Sequence, residues 1–420
     1  MEVKDMSSNI NRRKFIQLGA AVTAAIPFTM SMGSINNNLE SSEESIRIGV
    51  IGTGNRGEWE CYILKQTPGI KVVACCDIIP AHLQNGLNEA EIGAKGYSDY
   101  RKMLEQKDID AVLIATPQHL HYQMAIDAIN ADKHVICEKT LTLNTEDALI
   151  LSKRVKSSKK VFQVGYQWQS SLLFNKIHQM VQDGKCGKIT HIRCNYNRNT
   201  DWRRKTEDQK LERLLNWRMY REYSGGLMAE LCSHHINIVN WILDSLPIKI
   251  MGMGGIDYYR DGRETYDNVN TIFEYPGGTK ASFQAITTNA FESTTIVIMG
   301  TEGSIVIEKE EGQIAHYYSE PSKVKSVLSD DELQKIDAIS SATRKAWARN
   351  EPIPITVENN TIDDLETTRA MFIDFVDCVK NNKTPISNID NGRNAAIAVD
   401  LANKAMDNNQ VEYWKAEYNG

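Results

Sequence analysis

The chain has 420 residues, which is too long for one ordinary domain and sufficient for two domains with sizeable cores. Hydrophobic residues make up 41% and charged residues 24%, as in soluble globular proteins, and the formal net charge of −6 argues against a nucleic-acid-binding protein. The eight cysteines are scattered without a CxxC pair, so they indicate buried thiols rather than a disulfide framework or a metal site.

The N-terminal segment, residues 1–45, differs in character from the rest of the chain. Arg12 and Arg13 precede a short apolar run at residues 19–28, which is typical of a twin-arginine export signal. The run is too short for a stable membrane anchor, and the polar residues 31–45 resemble a linker. The alternative interpretation is a disordered basic tail. The signal predicts a periplasmic or otherwise exported protein that holds its cofactor tightly.

The folded sequence is predicted to start with a buried strand at residues 46–51, followed by a GxGxxG motif and a helix at residues 58–66. In this context Gly52 permits a tight turn, Gly54 lets the backbone approach a pyrophosphate, and Gly57 allows close helix packing. The helix N-terminus then offers free N–H groups to the phosphates. The residues predicted to contact the dinucleotide here are Gly52, Thr53, Gly54, Asn55, Arg56 and Gly57.

An acidic residue after the second predicted strand indicates which dinucleotide is bound. Residues 71–76 are predicted to form this strand, and Asp77 follows it directly. A carboxylate at this place accepts hydrogen bonds from ribose hydroxyls and repels a 2′-phosphate, so NAD is favoured over NADP. The alternative, a glycine-rich turn without a ligand, is disfavoured because the strand and the acidic residue both occur where this fold requires them.

Three further apolar runs, at residues 111–117, 134–139 and 161–166, alternate with helical segments. This alternation predicts an α/β domain at residues 46–167, with a doubly wound parallel sheet of the Rossmann type. Ligands of such sheets bind beyond the carboxyl ends of the strands. The residues predicted to surround the cofactor there are Thr116, Pro117, His121, Glu138, Lys139 and Gln167.

Several motifs give the chain a resemblance to a known family. Residues 115–121, with the sequence ATPQHLH, and the Glu-Lys pair at residues 138–139 resemble the Gfo/Idh/MocA oxidoreductases. A second family signature, two glycines followed by an acidic residue and a histidine, is matched within residues 225–234. The resemblance implies that Lys139 is the catalytic lysine of the family's EKP signature. Members with an NWRxY segment, matched at residues 216–220, include sugar oxidoreductases and NAD-dependent glycosidases.

The chain departs from the family pattern at three positions. Thr140 replaces the usual proline after the lysine, and Glu230 stands where many members carry aspartate. Asn237 replaces an aspartate often found three residues beyond the histidine. The longer side chain of Glu230 changes the reach of its carboxylate, and Asn237 cannot ionise, so no proton relay is assigned to it.

Glu230 and His234 are predicted to project from one face of a helix at residues 225–243, because residues four apart are neighbours on an α-helix. A carboxylate beside the imidazole would favour the imidazolium and orient the ring. For oxidation of an alcohol we assign His234 as the proton acceptor and Lys139 as a hydrogen-bond donor to the reacting oxygen. Glu230 would hold a neighbouring hydroxyl. A hydrogen-bonded core histidine is the alternative for His234, and no catalytic metal is expected.

A further group of side chains is predicted to line the substrate pocket. Aromatic and arginine side chains suit flat ligands rich in hydroxyl groups, through ring stacking and paired hydrogen bonds. Each of these side chains taken alone is more typical of a surface or core position than of a binding site. The predicted substrate-binding residues are Tyr166, Arg203, Trp217, Arg218, His234 and Asp267.

Residues 168–420 are predicted to form a second, α+β domain with an open antiparallel sheet. Alternating runs predict its strands at residues 249–259, 268–275, 279–288, 294–299 and 304–308. Apolar spacing predicts helices at residues 365–379 and 393–406 that pack back on the core. One face of the open sheet must be covered by helices or by another subunit, which favours a homodimer or homotetramer.

Three functions remain open from the sequence. The first is an NAD-dependent oxidoreductase that acts on a hydroxyl of a sugar or glycoside and keeps its cofactor tightly bound. The alternative is an NAD-dependent glycoside hydrolase, in which transient oxidation permits elimination and the cofactor returns unchanged. The third is a non-catalytic protein that binds a sugar or a dinucleotide on the same fold. A small carbohydrate is the expected partner in each case, with no nucleic acid and no stable membrane span.

Overall fold

The structure is a computed structural model, which describes residues 45–206, 208–308, 314–320, 351–357 and 364–419. The predicted twin-arginine motif and almost all of the predicted linker lie outside these residues. Within the described ranges, no helix is long and apolar enough to cross a membrane. All eight cysteines fall inside them, and each is a buried free thiol, which confirms the interpretation of their sequence context.

The N-terminal third of the described chain forms a six-stranded sheet in which every strand pair is parallel. Its strands are β1 Ile46–Ile51, β2 Ile70–Cys76, β3 Lys95–Tyr97, β4 Ala111–Ile114, β5 His134–Cys137 and β6 Phe162–Val164. Its helices are α1 Asn55–Lys65, α2 Pro80–Glu89, α3 Tyr100–Leu104, α4 His121–Asn130 and α5 Thr145–Lys156. The order β3-β2-β1-β4-β5-β6 reverses direction between β1 and β4, which confirms the doubly wound Rossmann sheet.

The strands of this sheet end earlier than the apolar runs predict. Strand β4 ends at Ile114 and β5 ends at Cys137, although the sequence remains partly apolar beyond both. The strand pairing ends there, although the backbone N–H groups of Ala115 and Glu138 still donate hydrogen bonds to Ile51 and Ile114. This places residues 115–117 and 138–140 at the edge where such sheets bind ligands.

The second sheet has nine strands within the described residues, in the order β14-β13-β12-β11-β7-β10-β9-β8-β15. These strands are β7 Ile189–Asn197, β8 Lys249–Gly255, β9 Asn268–Glu274, β10 Lys280–Ile286, β11 Thr294–Gly300, β12 Gly303–Glu308, β13 Ile314–Ser319, β14 Ile353–Ile355 and β15 Glu412–Tyr413. The accompanying helices are α6 Leu172–Gln182, α7 Gln209–Leu215, α8 Ser233–Leu243, α9 Asp364–Asn381 and α10 Ile389–Asn408.

One strand pair of the open sheet differs from the antiparallel prediction. Strand β7 lies at the middle of the sheet and runs parallel to β10, with His191 opposite Lys280 and Tyr196 opposite Ala285. Strand β7 was not among the predicted strands, although its buried Ile192, Cys194 and Tyr196 alternate with polar residues. A strand that enters the sheet before α8 and is joined by β10 afterwards can be parallel, because the connection between them is long.

The helix predicted at residues 225–243 is interrupted at its start. Residues Met228–Cys232 form a π-helical turn of five residues, and α8 follows it. In a π-turn the hydrogen bonds run to the fifth residue rather than the fourth. The side-chain spacing of a regular α-helix therefore does not apply across this segment, which contains Glu230 and ends two residues before His234.

The core of the first sheet is completed by α9, from the far end of the chain. Phe372 and Phe375 are fully buried against apolar residues of β1, β2 and α1. Gln163 on β6 donates a hydrogen bond of 3.0 Å to Asp374, which lies 211 residues further along the chain. The prediction that this helix packs back on the core is confirmed, and the surface it covers belongs to the Rossmann sheet.

Replacing Phe372 with alanine is expected to lower the free energy of unfolding by about 3–5 kcal/mol, because a buried ring is lost and a cavity remains. Ile373 is the adjacent control, since its side chain is 48% exposed and I373A should change stability by only about 0.5 kcal/mol. Denaturant unfolding followed by circular dichroism measures both variants. Equal stability of the two would show that α9 does not support the first sheet.

Candidate active site

A cavity of about 850 Å³ opens beyond the carboxyl ends of β1, β2, β4 and β5 and extends to the start of α8. From the first sheet it is lined by Gly52, Gly54, Asn55, Arg56, Asp77, Thr116, Pro117, His121, Glu138 and Lys139. From the rest of the chain it is lined by Gln167, Tyr196, Arg204, Trp217, Arg218, Glu230 and His234, among others. Most residues predicted to bind the cofactor therefore lie along one wall of a single cavity.

The glycine loop at one end of the cavity has the geometry that a dinucleotide pyrophosphate requires. Gly52 has a φ of +87°, which favours glycine, and a Cβ on Gly57 would lie 1.9 Å from the carbonyl oxygen of Gly52. A Cβ atom added to Gly54 would have only the ring of His82 within 4 Å. No side chain caps the N-terminus of α1, so its first N–H groups remain available to an anion. The residues present thus fit NAD.

Asp77 holds the glycine loop in place from the end of β2. One carboxylate oxygen accepts a hydrogen bond of 2.8 Å from the backbone N–H of Thr53, and the other accepts one of 2.8 Å from Ile79. Thr53 itself is buried and does not line the cavity; its methyl group packs against Gly86. Asp77 therefore lies at the cavity wall where a ribose hydroxyl would be recognised, and it also fixes the turn that carries the phosphates.

Arg56 joins the glycine loop to the end of β5. Its guanidinium lies 2.7 Å from Glu138 and 3.2 Å from the buried Glu60. Burial raises the pKa of Glu60 well above its ordinary value, so Glu60 keeps its proton. Burial alone would raise the pKa of Glu138 as well, but Arg56 and a hydrogen bond from Glu60 lower it to about 2. One ionised carboxylate therefore balances the charge of Arg56.

His121 ties two of the strand ends together from the first turn of α4. Its ring nitrogens lie 2.9 Å from the carbonyl oxygen of Thr116 and 3.0 Å from that of Thr140. The ring is buried, although one edge contributes to the cavity wall. Since both nitrogens face backbone carbonyls, His121 positions the loops after β4 and β5 rather than contacting a ligand through a free nitrogen.

Lys139 extends from the end of β5 to the π-turn before α8. Its ammonium donates a hydrogen bond of 2.8 Å to the backbone carbonyl of Glu230, and the neighbouring Thr140 hydroxyl donates one of 2.8 Å to Ala229. Burial lowers the pKa of Lys139, although the carboxylates of Glu230 and Glu138 act in the opposite direction. The lysine is thus held at the cavity wall with a pKa below that of a free lysine.

Glu230 pairs with Arg218, and the predicted carboxylate–imidazole pair with His234 does not form. The carboxylate accepts a hydrogen bond of 2.6 Å from Nε of Arg218. Burial alone would raise the pKa of Glu230, but Arg218 and Lys139 hold it below its ordinary value. The π-turn is the physical reason for the difference, because it alters the helical spacing on which the prediction relied.

His234 lies at the cavity wall as a neutral imidazole, which corrects the predicted imidazolium. Burial, and then the nearby charge of Lys139, lowers the pKa of His234 well below its ordinary value. The ring stacks on Trp168 at 4.9 Å and meets Tyr166 edge to face at 5.9 Å. Its Nδ1 has no hydrogen-bond partner among the described residues. The ring is therefore fixed by aromatic packing.

Three of the predicted substrate-binding residues lie away from the cavity wall. Tyr166 is buried behind His234 and packs against its ring. Arg203 forms ion pairs with Asp261 and Glu212. The buried Asp267 accepts hydrogen bonds from the backbone N–H groups of residues 257–259, so it holds the loop after β8. The charges of Arg203 and Asp267 are thus used within the protein, which corrects their predicted contact with substrate.

Trp217 and Arg218 do line the cavity, as predicted from the NWRxY segment, and the guanidinium of Arg218 lies 4.2 Å from the ring centroid of Trp217. Tyr196 and Arg204 line it as well, although the sequence analysis did not select them. The alternation in β7 is a signal that identifies Tyr196. Nothing in the sequence distinguishes Arg204 from the preceding arginine, because the direction of each side chain depends on the loop conformation.

The described residues contain no group of three or more histidine, cysteine, aspartate or glutamate side chains arranged to hold a metal ion. His234 and His235 are adjacent in α8, and His235 is buried against Trp168 and Tyr196. The ionisable side chains at the cavity wall include those of Lys139, His234 and Glu230, the last of which is paired with Arg218.

Two family models match the chain. Residues 46–166 match the oxidoreductase family with an NAD-binding Rossmann fold, and residues 174–306 match the GFO/IDH/MocA C-terminal domain. Together these segments make up more than half of the chain.

Relatives of known name act on cyclic polyols and sugar derivatives. Inositol 2-dehydrogenase of Salmonella typhimurium is 28% identical over 204 residues, which are 48% of this chain and 55% of that protein. The chain thus spans about half the length of that relative. The 2,7-anhydro-N-acetylneuraminate hydratase of Escherichia coli is 27% identical over 286 residues, 65% of this chain and 72% of that protein.

A solved structure shares the fold over most of the chain. Levoglucosan dehydrogenase in complex with NADH superposes with a TM-score of 0.71, covering 88% of this chain and 99% of that chain. Their sequences are 20% identical, so this likeness concerns the fold alone.

Replacing Asp77 with serine is expected to relax discrimination against NADP, because a charge that repels the 2′-phosphate is removed. The ratio of the dissociation constants for NADPH and NADH should fall by about tenfold, which corresponds to about 1.4 kcal/mol. Titration by nucleotide fluorescence measures both constants. The variant also loses two hydrogen bonds to the loop, which weakens the binding of both nucleotides alike and leaves the ratio informative. An unchanged ratio would show that Asp77 does not face the adenosine ribose.

Proposed function

The chain belongs to the Gfo/Idh/MocA oxidoreductase family, and on that premise we propose that it is an NAD-dependent oxidoreductase acting on a hydroxyl group of a sugar or glycoside. The observation that supports this most is the continuity of the cavity. It runs from the glycine loop and Asp77, past Lys139, to the neutral His234. A substrate hydroxyl placed between Lys139 and His234 would therefore lie beside the site of the cofactor.

NAD, when bound, would accept the hydride from the carbon that carries the reacting hydroxyl. The glycine loop and the open N-terminus of α1 would hold its pyrophosphate, and Asp77 would hold its adenosine ribose. The removal of the hydroxyl proton falls to the side chains of the chain itself. General-base assistance of this kind requires an acceptor that is unprotonated near neutral pH.

His234 meets this requirement. Its lowered pKa keeps the imidazole neutral at and below neutral pH, and its stacking on Trp168 fixes the plane of the ring. Lys139 would donate a hydrogen bond to the reacting oxygen and stabilise the negative charge that develops there. The backbone carbonyl of Glu230 holds the lysine in place. The Glu230 carboxylate, already paired with Arg218, would accept a hydrogen bond from a neighbouring substrate hydroxyl.

Replacing His234 with alanine is expected to lower kcat by about 10²–10⁴-fold, as loss of a general base does, while NAD binding is retained. His178 provides a control, because it stacks on Trp241 outside the cavity and H178A should leave kcat unchanged. Formation of reduced nicotinamide by absorbance and NAD titration by fluorescence give the two readouts. Unchanged turnover in H234A would remove the assignment of this residue.

A second candidate function, transient oxidation followed by elimination, is favoured by one observation. A relative in Escherichia coli is a hydratase of an anhydro sugar acid. The two functions are separated by incubating the protein with its dinucleotide and nitrophenyl glycosides. Lasting reduced nicotinamide without nitrophenol indicates net oxidation of the sugar. Repeated nitrophenol release without lasting reduction would instead identify a glycosidase.

We also propose that the chain forms a homodimer or homotetramer in which a second copy covers the outer face of the nine-stranded sheet. Met251 and Ile272 are cross-strand partners on this face, and each is 45% exposed. Met253 on the same strand is 79% exposed. Packing this apolar group against a second copy would remove it from water. Analytical ultracentrifugation of the protein and of M253D tests the proposal, and a wild-type monomer at micromolar concentration would contradict it.

Export with tightly held NAD is proposed from the twin-arginine motif at Arg12 and Arg13. The test is a fusion of residues 1–45 to a folded reporter, with both arginines replaced by lysine as the control. Export of the control would exclude the twin-arginine route. A purified protein that carries no dinucleotide and binds it weakly would contradict tight retention.

A further inference from the structure

Arg204 has a place in the cavity that the proposed mechanism does not use. It is partly buried, it lines the cavity, and within the described residues its guanidinium makes no hydrogen bond or ion pair. Five other arginines of this region behave differently, because each of them is paired with a carboxylate. These paired residues are Arg203, Arg213, Arg218, Arg221 and Arg263.

The backbone of Arg204 is fixed by the buried Asn216. The side-chain amide of Asn216 accepts a hydrogen bond of 2.6 Å from the N–H of Arg204 and donates one of 3.0 Å to its carbonyl. Asn216 is 2% exposed and immediately precedes Trp217 and Arg218, which line the same cavity. The backbone from which the Arg204 side chain extends is therefore held in a fixed position relative to the substrate end of the cavity.

Arg204 lies close to the paired charges that surround the reacting oxygen. Burial and the nearby charge of Arg218 lower its pKa, yet a guanidinium remains protonated in proteins. Glu230 balances Arg218, and Glu138 balances Arg56. The ammonium of Lys139 is assigned to the reacting oxygen. Among the described residues, the positive charge of Arg204 thus remains without a counter-charge.

A guanidinium that is partly removed from water and has no partner is unfavourable in free energy unless a bound ligand supplies an opposite charge. Its planar set of N–H donors matches the two oxygens of a carboxylate or of a sulfate ester. Its single charge matches a monoanion better than a phosphate monoester, which carries between −1.5 and −2 charges near pH 7. The site therefore selects for a singly charged group with two adjacent oxygens at one position of the ligand.

We propose that the substrate is an anionic sugar, bearing one carboxylate or sulfate ester, which Arg204 binds while the reacting hydroxyl lies between Lys139 and His234. This inference rests on the proposed function for the location of the reacting hydroxyl. Arg204 determines specificity and orientation in this arrangement and takes no part in proton or hydride transfer.

The test compares matched sugars on the NAD-loaded full-length protein by isothermal titration calorimetry. The pairs are methyl glucoside with methyl glucuronide, methyl galactoside with methyl galacturonide, and glucose with glucose 6-sulfate. The measurements are made at about 0.15 M salt, which screens the charges of the more distant lysines. At least one anionic sugar should bind about tenfold or more tightly than its neutral partner.

Two variants at Arg204 and one control separate the local contact from the net charge. R204Q should weaken the binding of the preferred anionic sugar by about tenfold to a hundredfold and leave the affinity for its neutral partner unchanged. R204K keeps the charge but loses the planar donor set, so it should recover only part of the affinity. K205Q removes an equal charge from an adjacent exposed residue that does not line the cavity, and it should change neither ligand.

Each outcome bears on the proposal. No preference for an anionic sugar in any pair, or a preference that survives R204Q, overturns it. A loss of NAD affinity in R204Q equal to the loss of sugar affinity would assign Arg204 to the cofactor and would also overturn it. Reduction of nicotinamide is measured separately. Selective binding of an anionic sugar without reduction of nicotinamide contradicts the proposed oxidoreductase but supports the anionic ligand. Reduction of nicotinamide by neutral sugars, without selective binding of anionic ones, supports the oxidoreductase and contradicts the anionic ligand.

Discussion

The hydrogen bond from the ammonium of Lys139 to the backbone carbonyl of Glu230 is the contact on which the arrangement of the cavity depends. It links the end of β5, where the cofactor wall lies, to the π-turn that precedes α8. The adjacent hydroxyl of Thr140 donates a second bond to Ala229. Both acceptors lie in or beside the shift from π to α hydrogen bonding, where backbone carbonyls become available to side chains. The irregular turn is thus what allows a lysine of one sheet to be held by a helix of the other.

The charges around the cavity are arranged as pairs that leave selected groups free. Arg56 is balanced by the ionised Glu138, while the neighbouring Glu60 retains its proton. Arg218 is balanced by Glu230. Because Glu230 pairs with Arg218, it does not stabilise the imidazolium form of His234, and burial keeps the pKa of that ring well below its ordinary value. Burial and nearby cations favour the neutral form of a histidine, whereas a carboxylate partner favours the charged form. The electrostatics of His234 therefore differ from those of a histidine–carboxylate pair.

Much of the first domain follows from local sequence. The strand at Ile46–Ile51, the glycines at 52, 54 and 57 and the acidic residue after β2 all depend on backbone conformation over a few residues, and the structure has them as predicted. Strand β7 was missed because its alternation was not used, and its parallel pairing with β10 is a long-range choice. The helical pairing of Glu230 with His234 failed because a five-residue π-turn leaves no mark in apolar periodicity.

The sequence by itself determined the Rossmann domain, its cofactor wall and the two motifs that carry Lys139 and His234, since each is encoded by residue types at short spacing. Only the tertiary structure decided which charged groups are used up inside the protein. Arg203 and Arg204 are adjacent and chemically identical, yet one is paired with Asp261 and the other lines the cavity. The physical reason is that an ion pair requires two groups to meet within about 4 Å, a condition set by packing between segments distant in the chain.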